Sequence, residues 1–254
     1  MHLQIVRGDN VLALRRAGVQ LGRLVDGAIP QHTIREAADA LARFEAVADE
    51  YGAHMQTFAT AALRDATNRD EVLGQLPVPV TVLTGEREAS LSYLGAIRAL
   101  GLNGPTIVFD LGGRSTEVVR GVGQEVTEAF SLPFGHLTLG ESTVADYSSI
   151  AHLRGRLVGT AGTALTLGRM AAALRDENPV TRHALEVSAA ELDALVEKID
   201  NALDPGALAG SDPRRSATLR EGAHGVLALV RTLNAPGFVT SEAGLREGLV
   251  ESCR

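Results

Sequence analysis

The stretch Thr106 to Val119 reads T-I-V-F-D-L-G-G-R-S-T-E-V-V. Thr106 to Phe109 are β-branched or aromatic, the composition of a buried strand. Asp110 stands at the end of that strand. Gly112 and Gly113 follow at once, so the backbone can turn tightly and approach a ligand closely. Ser115, Thr116 and Glu117 lead into a second apolar run, Val118-Val119. This order suits a phosphate held by backbone N–H groups, with a carboxylate nearby for a metal. It equally describes a β-hairpin with a Gly turn and a capping Asp, so the neighbouring segments must discriminate.

Downstream, Gly121 to Gln124 is a turn and Val126 to Ser131 a strand. S-L-P-F-G-H (Ser131–His136) is a tight connection, with a helix expected near Leu139. His136 reads as a cap or loop hydrogen-bonder. The strand Arg156-Leu157-Val158 enters G-T-A-G-T (Gly159–Thr163), and a helix is expected from Ala164 to Leu174. A Gly/Thr turn before a helix N-terminus is a ready-made anion site, although a close helix–strand crossing needs the same glycines. Ser188 and Glu191 form a capping box, opening a helix that Asp204-Pro205-Gly206 breaks. A helix over 218–233, a strand over Gly237–Thr240 and a turn-and-helix segment, S-E-A-G-L-R-E-G (Ser241–Gly248), complete the chain. Gly244 can supply a close backbone approach.

Upstream, Leu102 to Pro105 marks a boundary, giving two α/β lobes, 1–103 and 104–254. Val78 to Leu83 is a strand running into T-G-E-R-E-A-S and a helix to Leu100. Glu86 and Glu88 lie in the first turn of that helix. They either complement its dipole, or one of them points into a cleft as a general base. Met55 to Thr60 is another strand, with Arg64 just past its C-terminal end, where open α/β sheets bind ligands. A surface pairing with Asp65 or Asp70 is the plain alternative for Arg64. Thr33 and Glu36 suggest a capping box for a helix ending near Tyr51-Gly52. The chain opens on a hairpin of His2–Val6 and Val11–Leu14, turning at Asp9-Asn10.

Bulk composition excludes several classes. The chain has 254 residues, 45% apolar and 22% charged, as expected of a soluble globular protein with a large core. A net charge of −7 with no basic cluster argues against a nucleic-acid partner. The single Cys253 excludes an intrachain disulfide and a Cys-based zinc site. No apolar run has transmembrane length and no signal-peptide segment is present, so a cytoplasmic protein without a membrane partner is expected.

Six segments recur in a fixed order: A-T-A-A-L-R-D-A-T-N-R-D (59–70), L-T-G-E-R-E-A-S-L-S-Y-L-G (83–95), V-F-D-L-G-G-R-S-T-E-V-V (108–119), S-L-P-F-G-H, L-V-G-T-A-G-T-A-L-T-L (157–167) and S-E-A-G-L-R-E-G. Together they resemble the Ppx/GppA phosphatase family of exopolyphosphatases and guanosine pentaphosphate phosphatases, across nearly the whole chain. The resemblance implies a two-lobed, actin-like ATPase domain with ribonuclease H-like lobes. It also implies a Mg²⁺-dependent phosphoanhydride hydrolase acting on polyphosphate or guanosine pentaphosphate (pppGpp). Glu88 is then the general base, and Asp110 and Glu117 lie at the metal, Asp110 usually through water. Gly112, Gly113, Ser115 and Thr116 hold phosphate and Arg64 contacts it. The resemblance leaves the oligomeric state open, a homodimer included.

Three departures stand out. The family opens with a first phosphate loop, close to A-x-D-x-G-S-N-S, directly before a strand like His2 to Val6. Here the chain starts at Met1, so the first lobe is expected to lack its first strand. A start set too far downstream, a truncation, or a non-catalytic sensor of polyphosphate or (p)ppGpp would each account for this. The third Gly of the central loop is Arg114, whose Cβ restricts positive φ while its guanidinium could add a phosphate contact. The family's R-A-D segment reads Arg215-Ser216-Ala217, without the Asp.

Overall fold

The computed structural model describes residues 1–8, 10–140 and 145–252. Asp9 of the opening turn and Cys253 lie outside the described residues. By its contacts the chain divides into two compact units, Met1–Thr84 and Gly85–Arg254. Among the described residues no helix is long and apolar enough to cross a membrane.

The first unit opens with the antiparallel hairpin β1 (His2–Arg7) and β2 (Asn10–Arg16), as its alternation predicts. Helix α1 (Gln31–Glu50) follows. The Thr33/Glu36 capping box does not form. Pro30 is the N-cap, at φ −62° and ψ 145°, and no side chain caps the helix. Proline's preset φ starts the helix before Thr33, which lies buried inside its first turn. Strands β3 (Phe58–Ala59) and β4 (Thr81–Val82) are shorter than their apolar runs, because they pair only over two residues each, in parallel. Between them lie α2 (Ala61–Arg64) and α3 (Arg69–Gln75). The core of this unit is Ile29, Ile34, Leu63, Ala66 and Val72.

The second unit begins with α4 (Gly85–Leu100). Its apolar face, Ala89, Tyr93, Ala96 and Ile97, packs on Val108, Val119, Val158 and Val239 of the sheet that follows. That packing joins α4 to the second unit, while the 103/104 boundary marks the turn into the sheet. Strands β5 (Pro105–Leu111), β6 (Thr116–Val122) and β7 (Glu125–Leu132) form an antiparallel meander. β8 (Arg156–Thr160) lies parallel to β5 and leads into α5 (Ala161–Leu174). β9 (Glu186–Ser188), a short edge strand with no sequence signal, precedes α6 (Ala189–Asn201). α7 (Leu219–Thr232), β10 (Gly237–Thr240) and α8 (Leu245–Ser252) follow. The sheet order is β7-β6-β5-β8-β10-β9. A three-strand meander extended by two parallel strands is the arrangement expected of a ribonuclease H-like lobe.

The pleat sorts the β5 side chains. Ile107, Phe109 and Leu111 join the large core under α5, α6 and α7, while Val108 faces α4. The Ser188–Glu191 capping box forms with both of its bonds. The described residues to Gly140 are not helical, and residues 141–144, where a helix near Leu139 would continue, lie outside the described residues. Residues 136–138 are a turn in which Leu139 N donates to Gly135 O at 2.9 Å. α5 starts three residues before Ala164, at an Ala161 with φ 58°.

Candidate active site

Asp110 and Glu117 face each other across β5 and β6 as registered partners. Pleating puts both on the α4 side of the sheet, two residues from Val108 and Val119 respectively. Glu88, in the first turn of α4, is buried at that same side. Asp110 keeps partial exposure, but its carboxyl is withdrawn among these groups. Burial pushes its pKa up to about 8, the neighbouring Glu117 and Glu88 charges add to the rise, and Arg215 opposes it. Glu117 is itself buried and accepts a bond from Ser131 Oγ at 3.0 Å.

The loop between the two strands is closed by Gly112 N donating to Ser115 O at 3.0 Å. Neither Gly112, Gly113 nor Arg114 has positive φ. Arg114 therefore carries no left-handed strain, and the restriction expected of its Cβ does not arise. Gly113 packs closely, and a Cβ on it would lie 3.1 Å from Leu137 Cδ1. The S-L-P-F-G-H connection backs this loop. His136 N donates to Gly112 O at 2.9 Å and Leu137 N to Gly113 O at 2.8 Å. Thr116 Oγ1 donates to Phe134 O at 2.7 Å. Thr116 is thus an anchor of the loop, with its hydroxyl engaged on the face away from Asp110, whereas Ser115 is buried at the turn itself.

A second Gly turn comes from β8. Thr160 Oγ1 donates to Phe109 O at 3.1 Å, tying that strand's end to β5. Ala161, in left-handed backbone, then starts α5. Such a conformation costs roughly 1–2 kcal/mol for a residue with a Cβ. Gly162 comes next, and the Arg215 guanidinium lies where its Cβ would be. Among the described residues the Arg215 guanidinium makes no hydrogen bond or ion pair, its backbone N donating to Asp212 O at 2.8 Å, although Arg214 beside it is held by the Asp212 carboxylate at 2.8 Å. Burial lowers the Arg215 pKa; Asp212 and Asp110 oppose that, and Arg182 and Arg214 reinforce it. His136 completes the cluster. Burial and then Arg215 push its pKa down to about 4, against the pull of the Leu111 and Gly112 backbone. Its imidazole is neutral and its buried Nδ1 has no hydrogen-bond partner among the described residues, so the bond to the loop is made by the His136 backbone.

A profile of the Ppx/GppA phosphatase family matches residues 4–253. The chain belongs to this family. Exopolyphosphatase 2 of Mycobacterium tuberculosis strain H37Rv is 33% identical to it over 259 aligned residues, covering 85% of this chain and 79% of that protein. The crystal structure of the Aquifex aeolicus family member superposes with a TM-score of 0.84 at 24% identity, covering 99% of this chain and 92% of the other. An exopolyphosphatase from Cytophaga hutchinsonii ATCC 33406 gives 0.82 at 20% identity, over 98% and 92%. At these identities the two structures establish the shared fold.

Glu88, Asp110, Glu117 and the Gly112–Ser115 loop thus lie together in the second unit of this family member. Arg64 lies in the first unit, where Nη1 donates to Leu83 O at 3.0 Å and the residue lines a polar hollow of about 320 Å³ with Thr67 and Asn68. Asp70, one of its two suggested surface partners, pairs with Arg69 at 3.3 Å. Arg215 is the residue that sequence reasoning missed. The signal was present in the Arg215-Ser216-Ala217 segment, which drew notice for the Asp it lacks.

Proposed function

We propose that this chain is a Mg²⁺-dependent hydrolase that releases phosphate from the end of inorganic polyphosphate, with pppGpp as the alternative substrate. The observation that carries the reading is a division of charge within the second unit. Three carboxylates, Glu88, Asp110 and Glu117, crowd one side of a Gly loop, and Arg215 meets that loop's border at the α5 N-terminus. A cation beside the positive pole of a helix is unfavourable until an anion joins them. The name of the Mycobacterium tuberculosis relative supports polyphosphate as that anion.

The donor set fits Mg²⁺ of the kind that keeps its waters. It is all oxygen, and the crowding that raises the Asp110 pKa is what a divalent cation relieves. Among the described residues no three His, Cys, Asp or Glu stand close enough to cage a metal directly, which suits contact by Asp110 and Glu117 through water. When bound, Mg²⁺ would supply charge neutralisation at the phosphate oxygens.

The chain's own groups do the rest. Backbone N–H groups of residues 113–115 orient the terminal phosphate, and Arg215 neutralises its oxygens. Arg114 adds a guanidinium at the loop. Glu88, buried at the head of α4, orients the attacking water and takes its proton. The departing phosphate chain is a good leaving group and needs little protonation. The same reading makes the protein a cytoplasmic enzyme.

Phosphate release from polyphosphate of defined length and from pppGpp, with Mg²⁺ or with EDTA, tests this. Release from at least one substrate is expected only with Mg²⁺, falling on the order of 10²-fold or more in Glu88→Gln. Binding of either polyanion without release would leave the sensor reading standing, and neither binding nor release would end both.

A further inference from the structure

Helix α8 meets α4 backbone to backbone. A Cβ on Gly248 would collide with Leu91 O and lie 2.6 Å from its carbonyl carbon. A Cβ on Gly95 would collide with Gly244 O and lie 3.0 Å from Gly248 N. Real Cβ atoms do not tolerate these separations, so both positions require glycine for space, with no positive φ at either.

The joint has fixed supports on the α8 side. Ser241 N donates to Gly159 O at 2.9 Å, which fastens the segment to the strand that delivers Ala161 and Gly162. Gly244 N donates to Glu247 Oε2 at 2.8 Å and Gly248 N to Gly244 O at 3.0 Å, so the start of α8 is rigid. Arg98 and Glu251 pair at the far end of the contact.

On the α4 side, Leu91 and Gly95 stand three and seven residues after Glu88. At 3.6 residues per turn they lie on the same flank of the helix, one and two turns below the carboxylate. A helix moves as a rod over two turns, so a push on Leu91 is transmitted to Glu88. We infer that Gly248, with Gly95 and the Arg98–Glu251 pair, is a positioning element that sets the depth of Glu88 against the Gly112–Ser115 loop. The role rests on the reading of Glu88 as general base. It gives S-E-A-G-L-R-E-G a part in the chemistry.

The test compares kcat and KM for polyphosphate in wild type, Gly248→Ala, Arg98→Ala and Glu88→Gln. Gly248→Ala is expected to lower kcat by about tenfold to a hundredfold, the scale of a misplacement near 1 Å. KM should stay within about twofold, because the loop and Arg215 are untouched. Leu195→Ala, in the opposite layer of the core, serves as a variant of comparable thermal destabilisation and should keep kcat. Arg98→Ala adds no atom to the joint and remains folded; it should lower kcat severalfold, and it carries the test if Gly248→Ala does not fold. Unchanged kcat in the folded Gly248→Ala and Arg98→Ala proteins overturns the positioning role, as does an equal loss in Leu195→Ala. Full activity in Glu88→Gln overturns the general-base reading instead.

Discussion

The Arg215 guanidinium occupies the space in which a side chain on Gly162 would stand. Glycine at the second position of α5 is therefore what admits a cation to that helix's N-terminus. Gly162→Ala should expel Arg215 from its seat. If Arg215 neutralises substrate phosphate, KM for polyphosphate rises about tenfold and the salt dependence of KM weakens. Arg215→Ala should match it, and the double variant should be no worse than either alone. Steady-state kinetics across ionic strength check this.

Gly135 makes a parallel prediction for the Gly loop. A Cβ there would collide with Gly112 O and lie 2.6 Å from the Gly113 carbonyl carbon and 2.7 Å from Arg114 N. Gly135→Ala must therefore displace the N–H groups assigned to phosphate. The expected result is a fall in kcat/KM larger than tenfold while the protein still folds, read from kinetics beside a thermal melt.

Stability should depend on pH through two buried groups of opposite sign. Asp110 goes from an ordinary 3.8 up to about 8, so the folded protein holds a proton that the unfolded chain releases. Its contribution is intact at low pH and is lost as pH rises through that window. His136 goes from 6.5 down to about 4, so the unfolded chain binds the extra proton, and stability is lost as pH falls through that range. Each slope is about 1.4 kcal/mol per pH unit per proton. Between about pH 4 and 6.5 the two cancel, and above 6.5 only the Asp110 decline remains. EDTA-treated protein should melt at lower temperature at pH 8 than at pH 6.5. Asp110→Asn should abolish that decline and reveal rising stability from pH 4 to 6.5. Chemical denaturation across pH measures both.

The Ser188–Glu191 capping box provides a test of stability alone. Ser188 Oγ accepts from Glu191 N at 3.2 Å, and Glu191 Oε2 accepts from Ser188 N at 2.8 Å. Ser188→Ala should cost about 1 kcal/mol, with kcat and KM unchanged. Urea unfolding together with the phosphate assay would show whether both parts hold.

Much of the second unit could be read from local pattern. The meander, β8 before its Gly turn, the Ser188 cap and β10 all follow from apolar runs bounded by turn residues. In the meander each strand pairs with its neighbour in sequence. The misreadings have local causes too. Thr33 and Glu36 have capping-box spacing, but Pro30 starts the helix first. β9 forms because Val187 and Ser188 find β10 beside them, which three residues of sequence cannot announce.

By itself the sequence determined the α/β class, the family and the two strands that carry Asp110 and Glu117. Strand periodicity and tight turns are properties of adjacent residues, and a hairpin register puts two carboxylates opposite each other once its turn is known. Only the tertiary structure decided that Arg215, about fifty residues downstream of Gly162, closes on it, and that α8 bears on the helix carrying Glu88. Those relationships arise from packing between segments far apart in the chain. There the absence of a side chain at Gly162 or Gly248 has meaning only against the atom that fills its place.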